Sequence, residues 1–148
     1  MYKRILVATD GSELAQKAVK SGAVLAKNLG SNLTIVTVTE KWPLVEAAAQ
    51  AELGIDDPAG QYERIARAQG ERILAAAEQI VSEFGLTCKR VHVKNTEPAT
   101  GVIETALKAN ADLIVVASHG RRGLSRMLLG SVANEILIRS TVPVMVCR

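Results

Sequence analysis

The apolar residues of this chain gather into five short runs separated by longer stretches of helical period. RILVA (4–8), LTIVTV (33–38), CKRVHV (88–93), DLIVVA (112–117) and VPVMV (142–146) have the length and β-branched content of strands. A first helix is predicted from Ser12 as N-cap to just before Gly30, with Ala15, Ala18, Gly22, Leu25 and Leu29 on one face and Lys17, Lys20 and Lys27 off it. A second spans about 62–84, with Ile73, Ala77, Ile80 and Phe84 on one side. A third starts near Pro98, whose missing N–H costs nothing in a first turn, and pairs Glu104 with Lys108 at i,i+4. A fourth runs from Ser131 to about Ser140. Residues 39–60, with Pro43, Gly54 and the DDP stretch, form a long connection, either a small helix or a mobile loop.

Strands alternating with helices imply an α/β fold, an open and mainly parallel sheet with helices on both faces. A strand covered on both faces reads as continuous apolar sequence, whereas an edge strand alternates. RILVA and DLIVVA are continuous and therefore central; CKRVHV carries Lys89 and Arg90 and belongs at an edge. The order 3-2-1-4-5 satisfies this, while the flavodoxin-like order 2-1-3-4-5 buries the charged third strand. The last strand (142–147, VPVMVC) becomes the other edge. It tolerates Pro143 but carries no charge to keep another chain away, so the same strand of a second copy is expected to pair with it in a homodimer.

Composition narrows the function. The 148 residues are 48% hydrophobic, which suits one domain over 1–148, with neither linker nor repeat. A formal net charge of +3 with 3% aromatic residues lacks the stacking platforms of single-strand nucleic-acid binders. Cys88 and Cys147 stand far apart in apolar or alternating runs and read as reduced packing residues of a cytoplasmic protein. The opening MYKRILVATD has no cleavage-site pattern, and no apolar run is long enough to span a bilayer.

Ligands of open parallel sheets bind beyond the carboxyl ends of the strands, where the order reverses. Here that place lies between ATDGS after the first strand and ASHGRRGLSRMLLGS (117–131) after the fourth. Gly120 and Gly130 let backbone amides come close, and Ser131 with Val132 opens a helix whose positive N-terminus suits a phosphate. Arg121, Arg122 and Arg126 read as solvated, with Met127, Leu128 and Leu129 packing the loop down. Asp10 is either a carboxylate acceptor for a ribose hydroxyl, an amine or a metal-bound water, or a turn-former before Gly11. His119 reads as a loop histidine donating to backbone, His92 as solvent-facing, and Ser118 and Ser125 as lacking an activating base. Neither G-x-x-x-x-G-K-[ST] nor G-x-G-x-x-G after the first strand is present, so the P-loop and dinucleotide readings fail.

These residues closely resemble the universal stress protein family, over the whole chain from ILVATDGS to VPVMVC. The family's nucleotide motif, G-x2-G-x9-G-[ST], is met by Gly120, nine residues, then Gly130 and Ser131; Ala117 stands where the first glycine belongs. Resemblance to the ATP-binding branch implies a five-stranded Rossmann-like sheet, a homodimer and an adenine nucleotide across the first and fourth strands. That nucleotide is ATP, or AMP or ADP, with magnesium or manganese held through the phosphates. By this resemblance Ala8, Thr9 and Asp10 border adenosine, Val38 contacts adenine, and Val116 and Ala117 lie along ribose and phosphate. Gly120, Gly130, Ser131 and Val132 supply phosphate contacts. If the missing glycine served a left-handed backbone, Ala117 costs roughly 1 to 2 kcal/mol; if it served close approach, one methyl group pushes the ligand aside. The implied protein is a regulatory stress-response dimer, at most a slow ATPase, acting on an unnamed protein partner. Two alternatives stay open: an interaction module with a vestigial or AMP-type pocket, and a nucleotide α-hydrolase or adenylate-forming enzyme, whose S-G-G-x-D-S and H-x-G-H signatures are missing.

Overall fold

A computed structural model describes residues 1–121 and 129–148. The elements run β1 (Arg4–Ala8), α1 (Glu13–Leu29), β2 (Asn32–Thr39), α2 (Leu44–Glu52), α3 (Pro58–Glu83), β3 (Cys88–Lys94), α4 (Pro98–Lys108), β4 (Leu113–Ala117), α5 (Ser131–Arg139) and β5 (Val144–Cys147). The five strands pair in parallel in the order β3-β2-β1-β4-β5, as strand character requires. Five, seven and thirty-five on one side and six and thirty-six on the other follow from the two-residue period of strands. Ile5, Val7, Ile35 and Val115 pack under α1 and α3, and Leu6, Val36, Ile114 and Val116 pack under α4 and α5. Each such side chain contributes roughly 1.5 to 3 kcal/mol by leaving water, which is why the covered positions of β1 and β4 are apolar.

Helix α1 begins where Ser12 accepts the Ala15 N–H at 3.2 Å and ends at Gly30, whose φ of 63° is left-handed. Its buried stripe is Ala15, Ala18, Val19, Gly22, Ala23 and Ala26, small residues that let the helix lie close to the sheet. Leu29 is exposed rather than part of that face, being the last residue of the helix before Gly30. The 39–60 connection holds α2 and the first turn of α3. Asp57 caps α3 by accepting the Gly60 N–H at 3.2 Å, and Pro58 occupies the first turn, so the helix begins four residues before the expected Tyr62. Glu104 and Lys108 stand 3.8 Å apart on α4 as expected. Pro143 lies just outside β5, where its carbonyl still accepts the Ile114 N–H at 2.9 Å. Cys88 and Cys147 are free thiols, Cys147 buried and Cys88 partly so.

Candidate functional site

Two loops distant in sequence meet beyond the carboxyl ends of β1 and β4. Asp10 joins them: its Oδ1 accepts the Ser12 N–H at 3.0 Å, turning the chain into α1, while its Oδ2 accepts the Arg121 N–H at 2.8 Å from the other loop. The turn-forming role is thus real, and an ionised carboxylate with about four acceptor positions keeps two for a further partner. Gly120 is fixed by the same contact, because a Cβ there would stand 2.6 Å from Asp10 Oδ2. Gly130 closes the stem of the second loop: its N–H donates to the Ser118 carbonyl at 2.6 Å, and a Cβ would lie 3.0 Å from that oxygen.

The result is a cleft of about 500 Å³ lined by Ala8, Thr9, Asp10, Val38, Val116, Ala117, Gly120, Gly130, Ser131 and Val132, all ten of the positions carried over from the sequence. Its volume is in the range of small-molecule sites. At one end α5 points its N-terminus inward. The first bond at this end of α5 runs from the Asn134 N–H to the Gly130 carbonyl at 2.9 Å, and no side chain among the described residues caps the helix, so the amides of Ser131, Val132 and Ala133 lack intrahelical acceptors. These amides and the helix dipole make the end receptive to an anion. At the other end β1 stops while β2 continues. The Thr9 N–H donates to the Val36 carbonyl at 2.9 Å as the last bond between them. In a parallel ladder alternate residues bond to the same side, so the N–H and C=O of Val38 face the space that β1 has left. Val38 itself is seated by α4, where a Cβ on Gly101 would meet it at 2.8 Å.

Ala117 pairs with Cys147 within the β4 ladder and is 7% exposed. Its backbone is extended, so the left-handed requirement does not arise and the methyl group matters only as volume. Arg121 is exposed, as expected, and its guanidinium lies beside the Gln69 amide of α3. Leu129 packs on the β4–α5 core. Arg122, Ser125, Arg126, Met127 and Leu128 lie outside the described residues.

Both histidines depart from expectation. His119 Nδ1 stands 3.1 Å from the hydroxyl of its neighbour Ser118 rather than bonding to backbone, and its buried Nε2 has no hydrogen-bond partner among the described residues. His92 is half-buried, not solvent-facing: its ring tucks under α3, where Gly70 makes room, and Nε2 lies 2.7 Å from Thr39 Oγ1. Burial and the neighbouring Lys94 hold its pKa below 6.5, with Glu71 pulling the other way. Sequence reasoning also missed Thr37, Thr39, Tyr62 and Gln69, which line the same cleft. Tyr62 donates to the Glu40 carbonyl at 2.9 Å and stacks on Trp42 with 5.1 Å between centroids. Nothing local marks these residues, since sheet and helix bring them together across the fold. Among the described residues no three His, Cys, Asp or Glu side chains converge to hold a metal ion, and no helix is long and apolar enough to cross a membrane.

Comparison with known proteins agrees with this geometry. The model of the universal stress protein family matches residues 1–148. The universal stress protein YxiE of Bacillus subtilis is 31% identical over 100% of both chains. A universal stress protein solved in complex with cAMP superposes with a TM-score of 0.71 at 25% identity, covering 98% of this chain and 95% of that one. One from Archaeoglobus fulgidus, solved in complex with dAMP, gives 0.71 at 20% identity, covering 99% and 98%.

Proposed function

We infer the function of this chain from the premise that it belongs to the universal stress protein family. We propose that its cleft binds an adenine nucleotide, ATP foremost, and that occupancy is the signal of a regulatory dimer. The observation that carries the reading is the convergence of all ten carried-over residues on one cleft with an anion-receptive end and a bare main-chain edge. The relative solved with cAMP holds a ligand of the same class. Adenine offers an acceptor beside an amine donor, which complements the N–H and C=O of Val38. The ribose falls to Asp10, whose spare lone pairs accept hydroxyl protons, and the phosphates to the amides of Ser131 and Val132 beside Gly120 and Gly130. A magnesium or manganese ion would be carried by the phosphates, for among the described residues no three His, Cys, Asp or Glu side chains form a cage for it.

The dimer is proposed through β5. This edge strand carries Met145, 37% exposed, in a shallow groove with Val24 of α1, and Leu137 and Ile138 of α5 are exposed nearby in sequence. An apolar edge of this kind is stabilised by pairing with a second copy.

Titration calorimetry with ATP, AMP and GTP tests the nucleotide reading. ATP and AMP bind one per chain. GTP, whose base reverses the donor and acceptor presented to Val38, binds at least about tenfold more weakly, since each mismatched polar pair costs about 1 to 3 kcal/mol. Equal heats for ATP and GTP contradict the base assignment. No heat from ATP or AMP favours the other reading, an interaction module with an unused pocket.

A further inference from the structure

Gly70 sits in the middle of the 26-residue helix α3, where glycine is about 1 kcal/mol less favourable than alanine. Its neighbour explains it. A Cβ at this position would stand 2.6 Å from Nε2 of His92, so the missing side chain is the slot that admits the imidazole. The ring reaches through that slot to Thr39, and both Thr39 and Gly70 line the cleft at the end where β2 outruns β1.

We propose that His92 is a positioning residue for the base end of the cleft, one that acts through the Thr39 hydroxyl and makes adenine-nucleotide affinity fall on acidification. The inference rests on the nucleotide reading given above and adds to it a residue that touches no ligand. A hydroxyl has one proton and two lone pairs. When the ring is neutral with Nε2 bare, Thr39 donates its proton to His92 and keeps lone pairs for an amine in the cleft. A protonated ring must donate through Nε2, so the Thr39 oxygen accepts and its proton turns outward. The cleft then meets adenine's amine with a donor instead of an acceptor.

The charges around the ring act in the same direction on balance. Lys94 on the same strand opposes protonation and Glu71 on α3 favours it. Arg90 pairs with Glu71 at 3.8 Å and with Glu78 at 3.4 Å, and β2 faces His92 with the uncharged Thr37 and Thr39. A base seated over Thr39 and Gly70 removes further water from the ring and favours the neutral form again. Linkage fixes the sign: His92 has a lower pKa in the complex than in the free protein, so affinity is full above the free value. It declines as pH falls through that value towards the bound one.

The test is the dissociation constant of AMP from about pH 8 to about pH 5.5 in the wild type, His92→Gln, Thr39→Val and Gly70→Ala. The second ionisation of a phosphate group, near pH 6, affects all four proteins alike, so the difference between them is read. At about pH 8 His92→Gln, whose amide oxygen can still accept the Thr39 proton, retains AMP binding. On acidification the wild type loses about three- to tenfold more affinity than His92→Gln. Gly70→Ala, which expels the ring, and Thr39→Val, which removes the relay, lose that extra dependence too. In the NMR titration of the wild type, AMP lowers the pKa of His92. Identical pH profiles for wild type and His92→Gln, or a His92 titration that AMP leaves unmoved, overturn the proposal while leaving nucleotide binding standing. Absence of AMP binding at about pH 8 overturns both.

Discussion

Ala117 is the one residue at which the nucleotide motif and this chain part. Its place in the β4 ladder opposite Cys147 shows that the glycine expected there is not required by backbone conformation. What remains is a methyl group in the cleft wall. Ala117→Gly is therefore expected to tighten ATP binding by about fivefold, the equivalent of roughly 1 kcal/mol for one carbon in a pocket, without altering the fold. Calorimetry of the two proteins side by side checks this, and an unchanged or weaker affinity in the glycine variant means that the methyl group faces no ligand. Gly120 and Gly130 are different in kind. A side chain at the first evicts the Asp10 carboxylate, and at the second it forces apart the Ser118–Gly130 stem.

Among the elements, strands were more legible than helix starts. The rule that doubly covered strands stay apolar placed β1 and β4 in the centre and left the charged β3 outside, and the sheet follows that order. The start of α3 was hidden because Asp57 and Pro58 serve equally well as a turn and as an N-cap with a first-turn proline. His92 was misread for a related reason: alternation on an edge strand marks which residues leave the core, but not that a helix glycine opposite opens a slot for one of them. The uncharged β5 edge supports a prediction at this scale. In sedimentation the wild type is expected to run as a dimer, and Met145→Lys, which adds a charge on the edge, as a folded monomer. A monomeric wild type, or a dimeric lysine variant, contradicts pairing through β5.

For the whole molecule, the function turns on the parallel sheet reversing its winding between β1 and β4. The reversal brings ATDGS and the Gly120 and Gly130 positions to one place, which strand character and the reversal of the sheet order had pointed to. The far wall was not legible, because Tyr62, Gln69 and Gly70 reach the cleft from a helix that packs across the strands rather than from either loop. That wall is tied to the start of α2 by contacts: Trp42 stacks on Tyr62, and Tyr62 donates to the Glu40 carbonyl at the cleft's rim. Backbone amide NMR during titration with ATP puts the proposal of one nucleotide in this cleft to the test. Thr9, Val38, Ser131 and Val132 are expected to shift first and furthest, tracing one ligand from the end of β2 to the start of α5. Shifts centred away from those four amides, or none at saturating ATP, contradict that proposal.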